Sequence, residues 1–321
     1  MILEELPTTP TSEELIDKAF SRAARAGHAK SGFEAQQSML QTASNIISDN
    51  LENTVTAWPD IQDLDPFYYE LIDAIVGVDD LRQNLSELMW ASRKATEIRD
   101  EYQQRFRNVD ADGAKKLRKQ AFARLADIVE EVGDDLLAVN SARNELRDLP
   151  DIRPDEPTIV VAGYPNVGKS SFVNLVTNAS NETASYPFTT TEIRVGHIER
   201  EHIRYQLVDT PGLLDRPPED RNEIESQAVS AVEHLADAVL VFLDASGECG
   251  YPLEVQLKLK EAIEAQFSDV PVLTICNKSD RSRDVEADYY MSVTEGENVE
   301  EVLDAAVEAV DYEPELPFDE G

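Results

Sequence analysis

Lysine, histidine and cysteine are scarce in this chain. Its 321 residues include ten lysines, four histidines and two cysteines, Cys249 and Cys276. The two cysteines lack the spacing of a metal-ligand set, which argues against a zinc module and fits a reducing compartment. The histidines are scattered and form no cluster. No apolar run approaches the ~20 residues that span a bilayer, so no membrane partner is expected. The opening "MILEELPTTP" has no basic stretch ahead of an apolar one, so a signal peptide is not expected and the chain is placed in the cytoplasm. Positive charge is in short supply, with 29 Lys and Arg against 64 Asp and Glu, a net charge of -35. Most of such a surface repels polyanions, and no DNA partner is expected. The acid runs along the whole chain, which points to a salt-rich cytoplasm of the halophilic archaeal kind, where dense ions screen self-repulsion.

Hydrophobic residues make up 41% of the chain, enough for sizeable cores, and the length suits two domains. "TSEELIDKAFSRAARAG" opens with Thr11 and Glu14 at capping-box spacing and predicts a helix to about Gly27. Residues 33–57 keep apolar positions at helical spacing. Asp65-Pro66 starts another helix. Residues 79–108 and the stretch from Ala111 to Leu146 predict a long antiparallel helical pair with a turn near 109–113. Residues 1–150 are therefore an all-helical domain, and 151–156, within the proline-containing "DLPDIRPDEP", a linker.

From 157 to 310 the pattern changes. "TIVVAG", "AVLVFLD" and "PVLTICNK" predict buried strands, "IRVGHIE" and "IRYQLVD" an antiparallel pair, and "YYMSV" a last strand. Helical stretches near 170–178, 221–235, 252–267 and 298–309 alternate with them. The expected fold is α/β, a mostly parallel sheet with helices on both faces. Residues 311–321 form an acidic, proline-containing tail.

"GYPNVGKSS", residues 163–171, follows a strand and opens a helix. Gly163-x-x-x-x-Gly168-Lys169-Ser170 is a phosphate-binding loop in its required context. Its glycines let the backbone curl so that amides face phosphate oxygens, and the helix N-terminus adds positive potential. The nucleotide-binding residues here are Gly163, Pro165, Asn166, Val167, Gly168, Lys169, Ser170 and Ser171. Lys169 reaches the β- and γ-phosphates, and Ser170 binds Mg²⁺. "NKSD", 277–280, selects the base. Asp280 accepts from N1–H and the 2-amino group of guanine, and a buried Asp280 is left unpaired against adenine. Asn277 and Lys278 buttress the site. In "DTPG", 209–212, Asp209 holds the Mg²⁺ shell through water and the Gly212 amide meets the γ-phosphate. In "SVT", 292–294, the backbone of Ser292 and Val293 faces guanine O6. "YPFTTT", 186–191, supplies a threonine that closes over Mg²⁺ with GTP bound.

These motifs define a GTP-hydrolysing domain, with GTP, GDP and Mg²⁺ as ligands. "AGYPNVGKSSFVNLVT", "YPFTTTEIRVGHIE", "LVDTPGLLDRPPEDRNEIESQA" and "DASGECG" are similar to the Obg and developmentally regulated GTPase group. With "DPFYYELI" and "LRKQAFARL" ahead of them, the chain from about 12 to 310 resembles the Nog family of nucleolar GTP-binding proteins and its archaeal relatives. The resemblance implies assembly of the large ribosomal subunit, with precursor particles, rRNA and ribosomal proteins as partners. It also places the Mg²⁺-ligand role on Thr190, with Thr189 and Thr191 as competitors, and the catalytic roles on Lys169, Thr190 and Gly212. The chain departs from eukaryotic members in its acidity and in lacking their long basic C-terminal extension, so contacts of that extension are not carried over.

Many GTPases place a water-orienting glutamine after the DxxG glycine; here it is Leu213. Slow intrinsic hydrolysis is expected, completed by a partner or by a monovalent cation. Arg216 and Arg221 are candidates to stabilise charge if their loop folds inward. Asn166 stands where potassium-dependent relatives use an asparagine for K⁺; turn-shaping is the competing explanation. In the helical domain, residues 93–124 carry ten basic and five acidic side chains, against the acidic trend. A solvated face with internal ion pairs competes with a phosphate-contacting tip. The tip's candidate rRNA contacts are Arg105, Arg107, Lys115, Lys116, Arg118 and Lys119. Phe106 and Phe122 are stacking candidates for which core packing is the competing role. The alternative to ribosome assembly is a GTP-dependent binding switch acting on a non-ribosomal protein.

Overall fold

The computed structural model of the chain describes residues 6–147, 152–177, 182–185 and 192–312. Helices α1 (Ser12–His28), α2 (Gly32–Thr56), α4 (Val78–Phe106), α5 (Ala111–Glu131) and α6 (Gly133–Arg147) build one compact unit; α3 (Pro66–Val76) belongs with the second. Thr11 caps α1: its hydroxyl accepts from Glu14 N at 3.2 Å, and the Glu14 carboxylate accepts from Thr11 N at 2.9 Å. α2 packs against α1, α4 and α5, burying Leu40, Ala43, Ile47 and Leu51 completely. Small residues allow α2 and α4 to approach closely, and buried Ser92 donates to the Ser48 carbonyl at 3.0 Å. The partner of α4 is not one helix. It breaks at Val132, where Gly133, Asp134 and Asp135 begin α6 with acidic residues in its first turn.

The second unit is a seven-stranded sheet in the order β2-β3-β4-β1-β5-β6-β7. Its strands are β1 (Thr158–Ala162), β2 (Glu182–Ser185), β3 (Glu192–Arg200), β4 (Ile203–Asp209), β5 (Ala238–Asp244), β6 (Val272–Asn277) and β7 (Tyr289–Tyr290). β2–β3 and β3–β4 pair antiparallel; the other neighbours pair parallel. Glu201 and His202, both at positive φ, make the tight turn between β3 and β4. Every residue of β1 and β5 is buried, as strands covered on both faces require. Helices α7 (Lys169–Val176), α8 (Glu223–Leu235) and α9 (Leu253–Gln266) lie between strands, and α10 (Val299–Val310) follows β7.

Three features differ from the sequence expectation. α3 groups with the sheet unit, where the Tyr68 hydroxyl donates to the Ile152 carbonyl. The described part of the expected linker is docked rather than free: Ile152 is 1% exposed, and the Gln206 side chain clasps the Arg153 backbone, accepting at 2.9 Å and donating at 2.6 Å. Gln206, wholly buried on β4, needs those partners. Last, "YYMSV" contributes only two strand residues. The chain then turns, and Ser292 and Glu297 bridge antiparallel.

Candidate functional site

β1 is central, so its carboxyl end lies between those of β4 and β5. A loop leaving that end is flanked by the loops that end the neighbouring strands. Gly163 and Gly168 sit at φ 130° and 107°. A Cβ on Gly163 would lie 2.5 Å from the Phe242 carbonyl oxygen, and one on Gly168 would lie 2.1 Å from Asn277 Nδ2. Both positions therefore exclude every other residue. Asn277, 2% exposed, explains the second clash: its Nδ2 donates to the Val167 carbonyl at 2.8 Å, and its Oδ1 accepts from Val293 N at 3.2 Å. One side chain thus ties the base-selecting loop to the phosphate loop and to "SVT".

Lys169 is 6% exposed. Its ammonium donates to the carbonyls of Gly163 at 2.6 Å and Tyr164 at 2.9 Å, leaving one N–H for a phosphate oxygen. Burial pushes its pKa below the ordinary lysine value, opposed by the carboxylates of Asp209 and Asp215. Pro165 is half-buried, Val167 buried, and Ser171 exposed at the start of α7. Asn166 is exposed at φ 64°, a left-handed conformation that asparagine tolerates better than most side chains. The turn-shaping role of Asn166 has a backbone basis here.

The Ser170 hydroxyl donates to Asp209 Oδ2. Asp209 is wholly buried, and its Oδ1 has no hydrogen-bond partner among the described residues. Burial raises its pKa, with the Ser170 bond and Lys169 opposing. A buried carboxylate with an orphaned oxygen beside a serine hydroxyl suits a hard divalent cation and its water shell. These residues fit Mg²⁺. Thr189, Thr190 and Thr191 lie outside the described residues.

Leu213 and Leu214 are fully buried, and the Leu214 carbonyl accepts from Gly163 N at 3.0 Å. The residue in the glutamine position is therefore core, packed away from any attacking water. Arg216 and Arg221 are already engaged by protein partners. Arg216 donates to the Gly212 carbonyl at 2.9 Å and pairs with Glu225 at 2.9 Å. Arg221 donates to Gln266 Oε1 at 3.0 Å and to the Arg216 carbonyl at 3.2 Å. Both hold the loop's own structure.

At the base end, Lys278, at φ 54°, places its ammonium 2.6 Å from Asp244 Oδ2. Asp244 also accepts from Ser246 N at 2.9 Å and Cys249 N at 2.8 Å. It is an organising residue that "DASGECG" contains but whose role only the fold reveals. Asp280 is not buried as expected. It is open to solvent, with Arg281 Nε at 3.0 Å. A hydrogen bond from Ser292, joined by Arg281, holds its carboxyl below the ordinary range, so it is ionised and accepting at neutral pH. Its discrimination against adenine therefore begins only when a base lies over it. The Ser292 and Val293 amides are also not free for guanine O6. Ser292 N donates to the Glu297 carbonyl at 3.1 Å, and Val293 N to Asn277. The next amide, of Thr294, has no partner among the described residues.

The helical tip divides. Arg105 pairs with Glu101 at 3.3 Å and covers the Tyr102 ring. Arg118 donates to Gln36 at 2.8 Å and lies over Phe122. Phe122 stacks on Phe20 at 4.4 Å and Phe106 is 2% exposed, so both aromatics are committed to packing. Arg107, Lys115, Lys116 and Lys119 are exposed with no partner among the described residues. Among those residues no helix is long and apolar enough to cross a membrane, and both cysteines are free and buried.

A strand, a glycine-framed loop holding an inward lysine, a buried aspartate bonded to a serine hydroxyl and an Asn-Lys-Ser-Asp loop at one sheet edge are the parts of a P-loop GTPase. A family profile described as the NOG1 N-terminal helical domain matches residues 3–153, and one described as a 50S ribosome-binding GTPase matches 158–278. The chain belongs to the family that joins the NOG1 N-terminal domain to a GTPase domain. An uncharacterized protein of Methanocaldococcus jannaschii is 36% identical, over 86% of this chain and 80% of that protein. Nucleolar GTP-binding protein 1 of Eremothecium gossypii is 32% identical over 89% of this chain, and that of Drosophila melanogaster 38% over 72%. The chain spans only 46% and 36% of those two proteins' lengths.

Proposed function

We propose that this GTPase is an assembly factor for the large ribosomal subunit that meets rRNA through the α4–α5 tip, with Mg²⁺ held at Ser170, Asp209 and Thr190. The observation that carries the reading is the tip itself. Four cations with no partner among the described residues, Arg107 after α4 and Lys115, Lys116 and Lys119 early in α5, stand near the α4–α5 turn of a chain with net charge -35, so phosphate can approach closely there. The match to a domain described as a 50S ribosome-binding GTPase and the likeness to nucleolar GTP-binding protein 1 support the ribosomal and nucleolar setting. The contact set is narrower than the charge run: Arg107, Lys115, Lys116 and Lys119 are available, while Arg105 and Arg118 are engaged at home. Replacing those four with Ser or Gln is expected to abolish co-sedimentation with large-subunit precursors in high KCl and leave GTP affinity unchanged. Undiminished co-sedimentation makes the tip a solvated helix face. Sedimentation with no ribosomal particle at all supports the reading as a switch on another protein.

Hydrolysis by the isolated chain is expected to be slow, since buried Leu213 cannot orient water and both loop arginines are engaged by protein partners. Asn166, exposed on the phosphate loop with no side-chain partner among the described residues, is the candidate K⁺ ligand. Turnover in KCl is expected to exceed turnover in NaCl at equal ionic strength. Equal rates leave Asn166 with its backbone role alone.

A further inference from the structure

The Gly212 peptide is gripped on both sides. Its N–H donates to Asp215 Oδ2 at 2.9 Å, and its carbonyl accepts from Arg216 at 2.9 Å. The Asp215 side chain is 16% exposed. The turn is anchored beneath by buried Leu213 and Leu214, and through the Leu214 carbonyl to Gly163 of the phosphate loop. The amide that a γ-phosphate needs is thus already satisfied by a carboxylate of the same loop.

We propose that Asp215 competes with the γ-phosphate for the Gly212 amide and so sets how strongly the site prefers a nucleoside triphosphate over a diphosphate. The inference rests on Gly212 being the γ-phosphate amide. One N–H cannot serve two anionic acceptors well, and two anions at hydrogen-bond distance from one donor repel each other. Binding GTP therefore breaks the Asp215 bond and displaces its carboxylate; binding GDP leaves both in place. The displaced side chain has somewhere to go. An open cavity of about 470 Å³ lies beside it, walled by Tyr164, Pro165, Arg216 and Tyr251, with the two tyrosine rings 4.5 Å apart. Asp215 also acts on Lys169, whose positive charge it favours, so its carboxylate is close enough to feel the phosphate end of the site. The chain would then hold its switch loop against GTP by a bond of the same kind that GTP must make, and the loop would return to Asp215 once the γ-phosphate leaves.

The test is affinity for GMPPNP and for GDP, each with Mg²⁺ at fixed high KCl, in the parent, Asp215→Ala and Asp215→Asn. Removing the competing acceptor is expected to tighten GMPPNP binding about tenfold or more, the scale of one hydrogen bond to a charged group, and to leave GDP affinity unchanged. Asp215→Asn keeps an acceptor oxygen without its charge, so a smaller shift in the same direction is expected. The GMPPNP-to-GDP ratio is a readout that general loop damage does not raise. A ratio unchanged or lowered in Asp215→Asn overturns the proposal, even if Asp215→Ala proves unstable. Gly212→Ala separates assignment from competition: it keeps the N–H but is strained at φ 82°, so the amide is displaced and most of the triphosphate preference is expected to be lost. If it keeps the preference, the assignment of Gly212 itself fails; if it loses the preference while the Asp215 variants match the parent, only the competition fails.

Discussion

Asp280→Asn is expected to turn a guanine site into a xanthine site. Guanine offers two donors on one edge, N1–H and the 2-amino group, and an ionised carboxylate accepts both. Xanthine keeps N1–H but carries a carbonyl at position 2. An amide, with one acceptor and one donor, matches xanthine and leaves guanine facing a donor with a donor. Sites built around such hydrogen bonds discriminate by large factors, because the mismatched group is desolvated without a partner. A loss of GTP affinity of about a thousandfold, with XTP bound close to the parent's GTP affinity, is the expected outcome. Asp280 is ready for this role because Ser292 and Arg281 hold it ionised while solvent still reaches it. Competition binding with GTP, XTP and ATP checks it. Equal binding of ATP and GTP by the parent would remove the base-selecting role.

Lys169→Ala is expected to remove most nucleotide affinity. The ammonium is fixed by two loop carbonyls before any ligand arrives, so it meets phosphate without reordering a long side chain. The one charge-assisted bond its remaining N–H makes to phosphate contributes about 1.5–3 kcal/mol, or roughly ten- to a hundredfold in Kd. The substitution also orphans the Gly163 and Tyr164 carbonyls, so thermal unfolding must be measured beside binding. Loss of affinity by a folded protein is the expected result. Unchanged affinity for GTP and GDP contradicts the assignment of the loop.

Much of this was legible because the chemistry is local in sequence. β1, β5 and β6 are continuous apolar runs, each ending in a polar motif, and the Thr11 capping box is complete within four residues. The phosphate loop needed only its glycines, Lys169 and a following helix. What escaped depends on partners far along the chain. β2 is Glu-Thr-Ala-Ser, with no apolar alternation, and is a strand because β3 lies beside it. The docking of α3 turns on Tyr68 meeting Ile152, 84 residues away. Asp244 gains its role from Lys278, 34 residues on. The Ser292 and Val293 amides looked available because a motif does not show which amides the fold has already used. Arg118 resembled Lys116 and Lys119 in sequence until Gln36 and Phe122 were found beneath it.

The most direct test of the account is nucleotide-dependent association with the large subunit. Large-subunit precursor particles from the source cells are incubated with the full chain in high KCl with GMPPNP, with GDP or with no nucleotide, and then sedimented. The account predicts that the chain travels with the particles in GMPPNP and is released in GDP, because the γ-phosphate changes the contacts of Gly212 and its loop. Equal recovery with GMPPNP and GDP, or no association in any of the three, would contradict it.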